Sequence, residues 1–248
     1  MIGIIRGEIQ KIRRPIYLLL LSVAVIAPTV LFTYLLFLKK ETRADLVTMS
    51  GVLGGVKLGG LFIGIISLSI FASNFAQEYT FGTIKNILTR HPNRLTLFIG
   101  KLMTQGFLMG VLIFFAIFLS LIVAFLRAHQ VGLSTHKWMT FSAFGSIFQV
   151  FGNLWLTALY FGVLGASLGT ILKSPIITIS ATTIWIVVLE TVLTGLLPKI
   201  GNYLPGQSIS SISQGGHGYL RELIVATAYV GVISFSAVTI FQRRDITG

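Results

Sequence analysis

There is no cysteine in the 248 residues, so the chain forms no disulfide, offers no thiolate to a metal and has no thiol nucleophile. Charge is nearly as scarce. Charged residues make up 10% of the sequence, with only 7 Asp and Glu, where a soluble domain carries about 25%. The four histidines, His91, His129, His136 and His217, are scattered without metal-ligand spacing. No G-x-x-x-x-G-K-[ST] stretch occurs, so the chain itself has no such loop to cradle the phosphates of a nucleotide. A hydrolase working inside a membrane needs Ser and His, or carboxylates with a metal, facing one another in the hydrocarbon. The apolar runs described next contain no histidine and a single deep carboxylate, Glu190. A carrier coupled to protons or sodium needs several buried ionisable groups or broken helices, and Pro28 supplies little of that. The chain is expected to be no enzyme and to carry no cofactor.

What the chain has in abundance is hydrocarbon. It is 54% hydrophobic, with a mean hydropathy of +0.88, which marks an integral membrane protein. Crossing the bilayer core takes about 20 apolar residues, and six runs qualify: 16–38, 51–76, 102–126, 144–172, 176–197 and 223–241. The expected fold is therefore all-α, a single transmembrane domain over residues 1–248 with six spans. Ser174 and Pro175 form a cap and first-turn pair ahead of the fifth span. Before the first span, Ile2, Ile5, Ile9 and Ile12 recur at helical spacing among Arg6, Lys11, Arg13 and Arg14. That pattern predicts an amphipathic helix lying in the membrane plane, against the plainer alternative of a charged tail. The run after Pro15 is too long for a signal peptide and lacks a convincing cleavage site.

Net charge is +12, from 19 Lys and Arg against 7 acidic residues. In a soluble chain that excess would suggest nucleic acid, but no nucleic-acid motif is present. In a membrane protein it serves contact with lipid headgroups and orientation. Six spans put both termini on one side. With the N-terminus inside, Arg6, Lys11, Arg13, Arg14, Lys85, Arg90, Arg94, Lys101, Lys173, Arg243 and Arg244 are cytoplasmic, eleven of the nineteen. Both termini are accordingly expected in the cytoplasm, at the cell membrane.

The most distinctive stretch is QEYTFGTIKNILTRHPNRLTLFIGK, residues 77–101, a polar interruption between the second and third runs. From Phe81, the residues Ile84, Ile87 and Leu88 recur at helical spacing opposite Gly82, Lys85 and Thr89, which predicts an amphipathic helix. Pro92 should end it near Arg90, and Arg94 should begin a second helix that runs into the third span. The order of Glu78, Gly82, Thr83, Leu88, Thr89, Pro92, Arg94, Gly100 and Lys101 resembles the loop between the second and third membrane helices of ABC-2 type permeases. In that family the loop holds the coupling helix, which sits against a separate ATPase.

The resemblance implies a permease subunit of an ABC exporter. Two ATPase copies carrying ATP and Mg and a second permease unit, identical or related, would complete the assembly. It also implies that Glu78, Phe81, Gly82, Thr83, Lys85, Arg90, Pro92, Arg94 and Lys101 form the contact with the ATPase. Nineteen Phe and many aliphatic residues suggest an amphiphilic or apolar cargo, such as a peptide antibiotic, a lipid-like molecule or a drug. The alternative class is a non-transporting immunity or sensor module that binds a peptide at its outer loops. If Glu78 and Arg94 are exposed, neutralising either should change stability little, because surface ion pairs contribute about 0–1 kcal/mol.

Three further features bear on the pathway. Glu190 lies seven residues before Leu197, about 10 Å inside the fifth span's outer end. It is a candidate for the cargo pathway, for pairing with a basic residue such as Lys57, or for a purely local contact. Residues 197–222 are too apolar for a simple loop and fit re-entrant or surface helices, the alternative being an unstructured glycine-rich loop. Gly51, Gly55 and Gly59, four apart, allow close helix approach, in ordinary packing or at a dimer seam.

Overall fold

The computed structural model describes residues 15–39, 45–83, 93–201, 203–216 and 218–243. Among them every regular element is helical, and six segments are long and apolar enough to cross a membrane. The first span is α1 (Pro15–Leu38). The second is built from α2 (Met49–Leu58) and α3 (Gly60–Thr80), which abut at Gly59. The third is α4 (Arg94–Val131) and the fourth α5 (Phe141–Leu172). The fifth combines α6 (Pro175–Thr183), a π-helical segment (Ile184–Leu189) and α7 (Glu190–Leu196). Two short helices follow, α8 (Pro198–Gly201) and α9 (Pro205–Gln214), and then the sixth span, α10 (Tyr219–Arg243). The proposed in-plane helix at residues 2–14 lies outside the described residues.

The helices overrun the apolar stretches that announce them. The second span continues through Glu78 to Thr80, past the predicted 76, and the helix expected to begin at Arg94 does begin there and runs unbroken into the third span. Backbone hydrogen bonding stops at caps, not where hydrophobicity stops. Asn93 supplies one such cap, its Oδ1 accepting from Thr96 N at 3.1 Å. At 38 residues α4 is about 57 Å long, against a hydrocarbon core of about 30 Å. Its ends therefore stand clear of the core.

The second and fourth spans are the most buried and the first, fifth and sixth the least. Helices α3 and α5 make the central seam, and small residues let them meet. A Cβ on Gly165 would lie 2.3 Å from Leu68 O, and one on Gly169 would lie 2.7 Å from Ala72 O. Only glycine permits that backbone approach. Ser67 Oγ donates to Ala158 O at 2.6 Å across the same seam. The glycine stripe noted in the sequence is also spent inside the chain. Gly55 and Gly59 press against Thr33 and Thr29 of α1, while Gly60 and Gly64 turn to Ser213 and Phe161. We call the end of the bundle that carries residues 81–83 and Asn93 proximal, and the end that carries α8 and α9 distal.

Candidate functional site

At the proximal end, α3 is stopped by a left-handed turn. Phe81 N donates to Gln77 O at 2.9 Å and Gly82 N to Tyr79 O at 3.2 Å, with Gly82 at φ +63°. A glycine in that region is the usual helix stop. The sequence reading starts a helix at Phe81, and this is corrected: residues 81–83 are a turn, because Gly82 adopts a conformation a helix cannot contain. Phe81 is 73% exposed, and Gly82 and Thr83 are exposed with it. Lys85, Arg90 and Pro92, with the rest of 84–92, lie outside the described residues.

The two charged residues that bracket the loop go to different places. Glu78 is ion-paired with Lys101, and both are buried, at 7% and 1% exposure. The condition of exposure, on which a small stability effect at Glu78 depended, is not met. One turn of α3 carries the carboxylate inward before the helix ends, and the first two turns of α4 carry the ammonium to meet it. Lys101 Nζ also lies 5.1 Å from the centre of the Phe75 ring, a favourable cation–π placement. Arg94 extends to the sixth span instead. Its Nη1 donates to Phe241 O at 2.6 Å and Gln242 O at 3.3 Å, and its guanidinium stands over the Phe241 ring at 5.8 Å. A cation on the last carbonyls of a helix complements its dipole. Thr80 Oγ1 donates to Lys173 O at 3.2 Å, which adds the end of α5. The proximal ends of α3, α4, α5 and α10 are thus joined by charge and hydrogen bonds around one loop.

The distal end is organised by α9. Residues 197–222 contain two helices, so the unstructured alternative does not form. Pro205 opens α9 and Gly215, at φ +64°, closes it, the Pro-start and Gly-stop asymmetry of helices. The sequence carried that punctuation. It carried no sign of what holds the helix. Glu190, fully buried, accepts Gly206 N at 3.0 Å and Trp185 Nε1 at 2.8 Å on Oε1, and Gln207 N at 2.8 Å on Oε2. The carboxylate therefore caps the N-terminus of α9 from the fifth span, where a helix favours negative charge. Gly206 makes the approach possible, since a Cβ there would lie 2.7 Å from Glu190 Oε2 and 2.8 Å from Ile186 Cγ2.

Lys57 does not meet Glu190; it serves the opposite end of the same helix. Its Nζ donates to Gln214 O at 3.0 Å, and Gln214 Nε2 donates back to Lys57 O at 3.2 Å. Of the alternatives for Glu190, the pairing with Lys57 is thereby set aside, because each charge has gone to the helix terminus of opposite sign. Both oxygens of Glu190, the candidate for the cargo pathway, are engaged by the chain's own donors. Among the described residues no group of three or more His, Asp and Glu is placed to hold a metal ion.

No curated protein matches the chain. A family model described as "Protein of unknown function (DUF2705)" matches residues 18–247, nearly the whole length, and the chain belongs to that family.

Proposed function

We propose that the chain is the permease subunit of an ABC-2 type exporter, moving an amphiphilic or apolar cargo out across the cell membrane. Separate ATPase subunits, which hold ATP and Mg, would drive it. The observation that carries this reading is the proximal cluster. Glu78–Lys101 ties the second span to the third, Arg94 ties the third to the sixth, and the exposed Phe81–Thr83 turn projects from between them. A partner pressing on residues 81–93 would move three spans together, because a buried ion pair resists separation far more than an exposed one. Two copies of the chain would enclose the route, with the proximal end in the cytoplasm.

The test is recovery of the partner. Purified in mild detergent from its own membranes, the chain should bring down a nucleotide-hydrolysing subunit, and Thr83→Cys should form a cross-link to it with a short bismaleimide when that subunit carries a surface cysteine. Intact, folded chain isolated at full yield with no hydrolase would overturn the reading.

Orientation has its own check, made clean by the absence of cysteine. Ser134→Cys, in the exposed distal turn between α4 and α5, should react with a membrane-impermeant maleimide on intact cells. Thr83→Cys should react only after permeabilisation. The reverse pattern would place the proximal end outside and remove the ATPase from reach.

A further inference from the structure

We propose that the fifth and sixth spans hold between them a phospholipid, one acyl chain lying in an apolar trough along α10 and the phosphate at Arg221. The trough begins as a hollow of about 410 Å³ walled by Leu168 of α5, Ala181 and Trp185 of the fifth span and Ile233 of α10, with Leu204 and Pro205 closing its distal side. A second hollow of about 460 Å³ shares Tyr229 and Ile233 with the first and continues along α10 to Tyr203. Each falls within the 300–1,000 Å³ typical of ligand sites.

Three observations select the occupant. The first is chemical. Of the polar groups that border the first hollow, three are consumed within the protein: Thr182 Oγ1 donates to Thr178 O, the Trp185 indole to Glu190, and Gly206 N to the same carboxylate, which leaves the Tyr229 hydroxyl as the one other polar side-chain group on the described wall. An occupant with hydrogen-bonding groups along its length would find most of them unmatched, and leaving such groups unpaired is unfavourable. A hydrocarbon chain loses nothing there.

The second observation is size. One turn of a helix 10–12 Å across fills about 400–600 Å³, so each hollow accepts at most a single turn. A flexible chain can thread both. Ile224 and Val232 of α10, which line the second hollow, are exposed on a helix long and apolar enough to cross a membrane, so in a bilayer the space would open to lipid.

The third is charge. At the distal end of the trough the Arg221 guanidinium stands over the Tyr203 ring, 5.6 Å from its centre, and its nearest carboxylate contact, Glu222 Oε1, is at 4.0 Å. Arg221 lies two residues into the sixth span, at headgroup depth. A guanidinium there matches a phosphate. The inference does not depend on an ATPase partner.

The experiment uses the purified full chain in phosphatidylglycerol–phosphatidylcholine vesicles that contain a phospholipid with a mid-chain diazirine. After irradiation and digestion, adducts should concentrate on peptides carrying Leu168, Ala181 and Ile233, above the level on the exposed Phe114–Phe118 face of α4, which samples bulk lipid. Ala181→Trp, which adds volume to the hollow without removing a packed side chain, should lower the trough adducts several-fold and leave the α4 adducts unchanged. Arg221→Gln should lower them as well, whereas labelling by a diazirine alkane with no headgroup should be insensitive to Arg221→Gln.

Adducts that follow exposed area alone, or that ignore Ala181→Trp, would overturn the site. Equal phospholipid labelling with and without Arg221 would overturn the headgroup assignment. Quantitative disulfide formation between two copies of Ile233→Cys, with the adducts lost, would show that a second chain fills the trough.

Discussion

Lys101→Met should cost the folded protein about 3–5 kcal/mol, the loss expected when one partner of a buried ion pair is removed and the other is left uncompensated. Glu78 is the residue stranded. It is almost fully buried beside Phe75 and Phe98 at the proximal end, where little water can replace the ammonium. For a chain of this length that loss corresponds to a fall of roughly 6–20 °C in the unfolding midpoint, read in detergent as the fraction surviving heating and size exclusion. Glu78→Gln combined with Lys101→Met should recover most of the loss, because a neutral pair of similar volume needs no counter-charge. A double variant as unstable as the sum of its parts would mean that the two charges act separately. In the exporter reading, the double variant would assemble normally and still bind the ATPase. Its transport per ATP hydrolysed should fall, since the tie between the second and third spans has become a soft contact.

At the other end of the molecule, Glu190→Ala should free α9. Two backbone N–H groups and an indole N–H lose their acceptor, at about 1–3 kcal/mol for each donor left buried and unsatisfied. Gly206→Ala should act alike by a different route, its methyl displacing the carboxylate and Ile186. Hydrogen exchange measured by mass spectrometry is the readout. Amides at 206–209 should lose protection in both variants, while peptides around Lys101 stay as protected as before. The combined variant should be little worse than either alone, because both remove one contact. Unchanged protection at 206–209 would show that α9 is held by Lys57 and by the packing of Ile209 and Ile212, and that the carboxylate is incidental.

Why one of these sites was half legible in the sequence and the other hardly at all has a physical answer. Six spans were readable because burial in hydrocarbon demands long apolar runs, and helices within 197–222 because that stretch is too apolar for a simple loop. The pair Glu78–Lys101 was visible only as two charges flanking a loop. Whether they meet inside the bundle depends on how far each helix runs past its apolar stretch and on the rotation of one helix against the other. No local pattern records either.

Glu190 was conspicuous as a lone deep carboxylate, yet its partners are backbone N–H groups, which have no signature in any side chain. The π-helical segment hid its third partner too. In an α-helix, residues five apart lie about 140° apart around the axis, so Trp185 and Glu190 read as facing different ways. The wider π turn carries Trp185 O onto Glu190 N and brings the two side chains into contact. At the proximal turn the amphipathic spacing from Phe81 onward gave no sign that Gly82 would take the left-handed conformation that ends α3 there. Residues 84–92, which hold Lys85, Arg90 and Pro92 of the coupling assignment, lie outside the described residues.

The way α9 is clamped has an electrical consequence. Between Pro205 and Gln214 the helix contains no ionisable side chain. The charges that hold it, Glu190 and Lys57, belong to the fifth and second spans. A membrane potential of 100 mV acts on a moving unit charge with about 2.3 kcal/mol, but α9 carries only the equal and opposite half charges of its own dipole. If it swings while its anchors stay with their spans, no net charge crosses the field. Opening of the distal end should therefore respond only weakly to the membrane potential, through the turning of that dipole and not through charge transfer.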